Sequence, residues 1–294
     1  MKSKKFLENV VHGVFLILGL ITVGFVLLIT VYLIISGIPA IKEIGLTEFL
    51  FGQTWQSTAA SPARVAEPKF GILPFILTSV YGTAGAILLG VPVGFLTAVF
   101  IAKFAPPKLK TLISSAVSLL AGIPSVVYGF VGMLILVPSI RKVFNIPDGA
   151  SLLAAIIVLA IMILPSIIKV SVTALEAVPR EYEDASLALG ATPTETYFRV
   201  SVKAAKSGIA AAVVLGVGRA IGEAMAVMMV SGNAPNMPSL FQSVRFLTTA
   251  VASEMSYSSG LQRQALFSIA LVLFLFIMLI NAALNFFLKR DKGE

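Results

Sequence analysis

Apolar positions in this chain fall in long unbroken runs rather than in alternation with polar ones. Stretches near 13–36, 74–102, 112–137, 151–173, 208–231 and 265–288 each approach or exceed the roughly 20 residues that carry a helix across a hydrocarbon core about 30 Å thick. Lipid offers the backbone no hydrogen-bond partners, and runs of this length without a two-residue period exclude barrel strands. The pattern therefore predicts an all-α polytopic fold with six transmembrane helices. Three spans carry an internal proline, at Pro92, at Pro124 in AGIPSVVYG and at Pro165 in MILPSII, where the missing N–H predicts a kinked or interrupted helix.

The polar segments between the runs set the organisation. MKSKK resembles the basic start of a signal peptide, but the run behind it is too long for one, so residues 1–40 read as a tail and a retained anchor helix. Residues 41–72 are polar and rich in Pro, Ser and Ala, which predicts an extracellular loop. Residues 73–290 form the main membrane domain. With the amino terminus inside, segments 103–111 and 174–207 and both termini are cytoplasmic; 14 of the 22 Lys and Arg then lie inside and seven outside, with Arg219 within a span.

Composition sharpens this picture in two ways. A chain that is 57% hydrophobic and 12% charged, with mean hydropathy +0.97, lies outside the range of soluble domains, and its net charge of +8 is accounted for by a basic inner face without a nucleic-acid partner. The absence of cysteine excludes disulfides and thiolate metal sites. No G-x-x-x-x-G-K-[ST] phosphate loop occurs, and GVGRAIG follows no strand, so Gly216, Gly218 and Gly222 read as a close-packing helix face rather than a nucleotide motif.

The cytoplasmic stretch EAVPREYEDASLALGAT and its continuation, 176–207, is the most informative polar segment. Pro179 followed by Glu181, Glu183 and Asp184 suits a helix start, and Gly190 suits its end. Thr192-Pro193-Thr194-Glu195 then has the form of a capping box, so a second helix follows almost at once. The result is a two-helix elbow with small residues at its corner, readable either as a docking knob or as a self-contained hairpin on the membrane surface.

DASLALG is similar to the E-A-A-x-x-x-G signature of permease subunits of ATP-binding cassette importers, with Asp184 for Glu, Ser186 for the second Ala and Gly190 in register. Val200-Ser-Val202-Lys203 stands where that signature carries a proline. AGIPSVVYG, IVLAIMILPS, GVGRAIGEAMAVMMVSGN and RFLTTAVASEM follow one another as they do in the phosphate-importer branch of the family, over roughly residues 70–290. The resemblance implies the type I importer permease fold and an elbow that docks on a separate ATPase through Asp184, Ala185, Ser186, Gly190, Ala191 and Thr192. ATP would be bound by that partner, with no cofactor and no catalysis on this chain. The implied assembly adds a second, similar permease, two ATPase subunits and an extracellular phosphate-binding protein.

Arg219 and Glu223 lie at mid-membrane in an otherwise apolar run. Each charge at that depth costs about 2.5–3.5 kcal/mol if it faces lipid, so both must face protein, water or each other. Residues four apart on one helix can form an ion pair, though Arg before Glu is the weaker order. The functional alternative is an anion path: the guanidinium fork matches a tetrahedral oxyanion, and Glu223 accepts the proton that phosphate still carries and sulfate lacks. Ser125, beside Pro124, can add a hydroxyl to that path. Other oxyanions, and a stand-alone ion-coupled carrier using Glu223 as its proton site, remain open at this level. His12 reads as interfacial, Met225, Met228 and Met229 as packing, Asn281 and Asn285 as helix-to-helix bonding, and Arg245 and Glu254 as binding-protein contacts or solvated charges.

Overall fold

The computed structural model describes residues 2–56 and 69–290; segment 57–68, with Arg64, lies outside them, as do 1 and 291–294. Among the described residues the fold is mainly helical, with one small ribbon and an irregular segment at 231–246. Helix α1 (Lys2–Ile44) leads through α2 (Leu46–Phe51) to antiparallel strands β1 (Trp55–Gln56) and β2 (Lys69–Phe70), which place Trp55 opposite Phe70. Helix α3 (Leu73–Val99) ends in a π-helical stretch, Phe100–Phe104. Then come α4 (Pro107–Gly122), α5 (Ser125–Val131), a second π stretch (Gly132–Leu136), α6 (Val137–Phe144) and α7 (Leu152–Glu176). The elbow holds α8 (Arg180–Ala188), α9 (Pro193–Thr196), a third π stretch (Tyr197–Ser201) and α10 (Val202–Ala204). Helices α11 (Lys206–Gly222), α12 (Met225–Val230), α13 (Leu247–Glu254) and α14 (Gly260–Arg290) complete the described chain.

Helix α7 is the centre of the bundle, and α3 lies along it with chain direction shared. Glycines make the approach possible: a Cβ at Gly85 would stand 2.7 Å from Ile156, and at Gly90 2.8 Å from Ile163. Small residues at such spacing let two membrane helices pack backbone to backbone. Helix α1 joins the body near its end, where Ser268 Oγ of α14 donates to the Gly37 carbonyl at 2.6 Å and Tyr32 meets Phe267 edge to face. The rest of its apolar surface, from Val10 to Val31, is largely exposed, as suits contact with lipid.

Among the described residues, five helical segments are long and apolar enough to cross a membrane alone: Val10–Ile44, Leu73–Phe104, Ser125–Phe144, Leu152–Glu176 and Gly260–Ala283. A sixth is counted where the bent pair Pro193–Ala204 and Lys206–Gly222, turned by 70° at the joint, is taken as one span. Two of the six expected spans differ from the continuous helices that hydropathy suggests. The stretch 112–137 is broken at Ile123–Pro124, where Ile123 is extended (φ −71°, ψ 127°), as the residue before a proline prefers. Pro124 cannot donate to the Leu120 carbonyl four residues back; that carbonyl accepts instead from Ile123 N–H at 3.2 Å and from Tyr128 Oη at 2.7 Å. Pro92 and Pro165 sit inside unbroken helices, so only one of the three prolines interrupts its span.

The second break has no proline at all. Helix α11 stops at Gly222, Glu223 is extended (φ −74°, ψ 129°), and α12 begins two residues on. Side chains satisfy the backbone groups this exposes: the Glu223 carboxylate accepts from Ala226 N–H at 2.9 Å, and Thr248 Oγ1 of α13 donates to the Glu223 carbonyl at 2.7 Å.

The segments beyond the two breaks, α5 and α12, pack directly against each other. A Cβ at Gly129 would lie 2.7 Å from the backbone Cα of Ala226, which no rotamer change relieves. Gly129→Val is therefore expected to destabilise the protein by about 1–3 kcal/mol through overpacking, read as a lower Tm in detergent. Gly122→Ala, where nothing stands within 4 Å, should leave Tm unchanged.

Candidate substrate path and docking elbow

The two breaks bring polar groups into the bundle. Arg219 lies on the last turn of α11, about 20 Å along the helix from Lys206 at 1.5 Å per residue. Its Nη1 donates to Ser166 Oγ on α7 at 3.3 Å. Together with Val214, Leu215, Gly218 and Asn281, these two residues line an open cavity of about 570 Å³ between α7, α11 and α14.

The expected Arg219–Glu223 pairing on one helix face is corrected by this geometry. The helix ends between the two residues, no ion pair joins them among the described residues, and one Glu223 oxygen caps α12 instead. Its second oxygen, Oε2, has no hydrogen bond among the described residues. Ser125 is half-buried at the start of α5 and does not line the Arg219 cavity. The glycine face is also narrower than expected. Gly216 packs on Ile167, but Gly218 and Gly222 have nothing within 4 Å of a built Cβ. Gly218 leaves room in the cavity, and Gly222 ends the helix.

The elbow has the two-helix form that its caps predict. Gly190 takes φ +88°, the left-handed conformation that glycine adopts freely, and the Thr192–Glu195 capping box is complete. Asp184, Ala185, Gly190 and Thr192 are exposed at the corner, Ala191 is half-buried, and Leu189 projects with 90% of its surface exposed. Ser186 turns inward, its Oγ 2.9 Å from Thr196 Oγ1, so it ties the two helices together.

Sequence reasoning missed the group that fixes this elbow to the bundle. Glu183 Oε1 accepts from Lys103 Nζ, in the π-helical stretch that follows α3, at 2.5 Å and from Ser201 Oγ at 2.7 Å. Burial alone would push the Glu183 carboxyl up; the hydrogen bonds from Lys103 and Ser201, with the charges of Lys103 and Arg180, outweigh it and hold the group below the usual carboxylate range. The proximity of Glu183 to the elbow signature is visible in the sequence, but its partner 80 residues earlier is not.

Arg245 and Glu254 are neither free nor fully solvated. They pair with each other, Glu254 Oε2 also accepts from Trp55 Nε1 and Gln262 Nε2 at 3.0 Å, and Arg245 Nε donates to the Asn233 carbonyl at 2.9 Å. This network fastens the β1 ribbon to α13 and α14. Among the described residues, no group of three His, Asp or Glu stands together in a way that could hold a metal.

Residues 90–290 match the family model described as the inner membrane component of binding-protein-dependent transport systems. The chain belongs to this family. It is similar to the probable ABC transporter permease protein YqgH of Bacillus subtilis, with 39% identity across 90% of this chain and 86% of that one. The phosphate transport system permease protein PstC of Haemophilus influenzae is 32% identical across 90% of this chain and 89% of its own length. Among solved structures, the inward-facing MetNI methionine ABC transporter superposes with TM-score 0.60 over 75% of this chain and 95% of that chain, at 20% identity, a likeness of fold. The type I permease fold expected from the motifs is thus observed. The family member is a multi-pass inner-membrane transport subunit, not an enzyme.

Proposed function

We propose that this chain is the permease of an ATP-driven phosphate importer, with Arg219 on the translocation path and both termini in the cytoplasm. The observation that carries the reading is Arg219 itself, a permanent cation whose one hydrogen bond among the described residues goes to Ser166, lining an open cavity between α7, α11 and α14. The relatives named as phosphate permeases support the choice of anion. A second permease would complete the path. Two ATPase subunits docking on the elbow would supply the energy, and an extracellular phosphate-binding protein would deliver the cargo.

Glu223 has a distinct part in this proposal. With Oε1 capping α12, Oε2 is left to accept a hydrogen bond, and monohydrogen phosphate offers one while sulfate does not. The test is uptake of labelled phosphate and labelled sulfate by cells expressing the whole system, with or without an inactivated ATPase subunit. Phosphate uptake that stops with the ATPase supports the importer; uptake that persists supports a stand-alone carrier. Glu223→Gln is expected to raise sulfate uptake about tenfold or more, the scale of one hydrogen bond to a charged group. Unchanged exclusion of sulfate would remove Glu223 from the filter.

A further inference from the structure

We propose that Ser166 and Asn281, with Arg219, form the membrane-level binding site for a tetrahedral oxyanion, in the crevice between α7, α11 and α14. The inference rests on the reading of Arg219 as part of the path and adds the residues that complete a site. Three observations carry it.

First, the donors converge. Ser166 Oγ accepts from Arg219 Nη1, so the hydroxyl proton is free to point elsewhere, and the remaining guanidinium donors have no hydrogen-bonded partner among the described residues. Second, Asn281 lies within an apolar stretch of α14 and lines the same cavity, yet its amide makes no hydrogen bond among the described residues. An amide at such a position is costly unless it is partnered, and the helix-to-helix bond that sequence reasoning assigned to it is not made. Third, there is room. The cavity of about 570 Å³ holds an anion together with several waters at roughly 30 Å³ each, and Gly218 leaves its wall open.

The site offers a fixed guanidinium fork, a hydroxyl proton and an amide NH₂ from three different helices, and the one charge in its lining is positive. Such a set takes a tetrahedral oxyanion and disfavours a cation. Its ligand chemistry is shared by free phosphate and by the headgroup of an anionic lipid reaching in from the side; the position of Arg219, about 20 Å along α11 from Lys206, favours free phosphate.

The charge-sensitive variant is Asn281→Asp, which keeps the side-chain shape and turns a donor into an anion. In the complete transport complex in proteoliposomes, with assembly checked by co-purification of all subunits, it is expected to lower phosphate transport by about 10- to 100-fold, and Ser166→Ala by about three- to tenfold. Asn281→Gln, which retains the donors, should keep more transport than Asn281→Asp. If Arg219→Gln stops transport while Asn281→Asp and Ser166→Ala run at the wild-type rate, this site is wrong and the reading of Arg219 stands. If Arg219→Gln itself transports normally, the underlying reading fails. Repeating the series with and without phosphatidylglycerol separates the sources: defects that follow the lipid content rather than phosphate would overturn phosphate as the occupant.

Discussion

Arg219→Gln is expected to reduce phosphate uptake by about 10²- to 10⁴-fold while the protein still inserts and assembles. The magnitude follows from removing two charge-assisted hydrogen bonds to an oxyanion, each worth about 1.5–3 kcal/mol where water is scarce. Folding should not suffer in proportion. Among the described residues Arg219 makes one hydrogen bond, to Ser166 at 3.3 Å, and a neutral side chain at that depth avoids an insertion cost of about 2.5–3.5 kcal/mol. Loss of transport with unchanged or improved stability therefore separates a substrate role from a structural one. Arg219→Lys should fall between the two, because it keeps the charge but loses the planar fork. Initial rates of labelled phosphate uptake, normalised to assembled complex, make the comparison, and wild-type rates in Arg219→Gln would sink the assignment.

What the sequence made legible was whatever local chemistry encodes. Pro124 carries its break in its own ring, and the elbow announces itself through Pro179, Gly190 and the Thr192–Glu195 box. The break at Glu223 was hidden because Ala-Ile-Gly-Glu-Ala-Met reads as helix. Tertiary partners satisfy its interruption, above all Thr248, which arrives 25 residues later and takes the Glu223 carbonyl. That one error propagated: with a continuous helix assumed, Arg219 and Glu223 had to share a face. Ser166 stands 53 residues from Arg219 in sequence, and nothing in either segment says that α7 and α11 bring them together. Asn281 failed for a different reason. A lone amide in a membrane helix carries the same local signal whether it bonds a neighbour or faces a cavity.

Glu183→Gln is expected to uncouple the elbow from the bundle, so that cargo delivery no longer stimulates ATP hydrolysis in the assembled importer and uptake falls about tenfold or more. The elbow helices α8 and α9 have nine and four residues, too few to be stable alone, so their orientation depends on what ties them down. Lys103 and Glu183 are only 11% and 17% exposed, and neutralising the acid strands the ammonium of Lys103, just beyond α3, at a cost of about 1–3 kcal/mol. That is enough to shift a two-state contact by about 5- to 150-fold. The pH dependence has a definite sign. A carboxyl held below its usual range contributes stability that is fully present at neutral pH and above, and that is lost as pH falls through its lowered value, so acidification should loosen the elbow and alkalinisation should not. Hydrogen exchange across 180–201 reports the loosening directly. In Glu183→Gln the protection, corrected for intrinsic exchange, should already be low at neutral pH, and only the Thr192–Glu195 cap should still respond to acid. Wild-type exchange and full stimulation of ATP hydrolysis in this variant would show that the Lys103 contact transmits nothing.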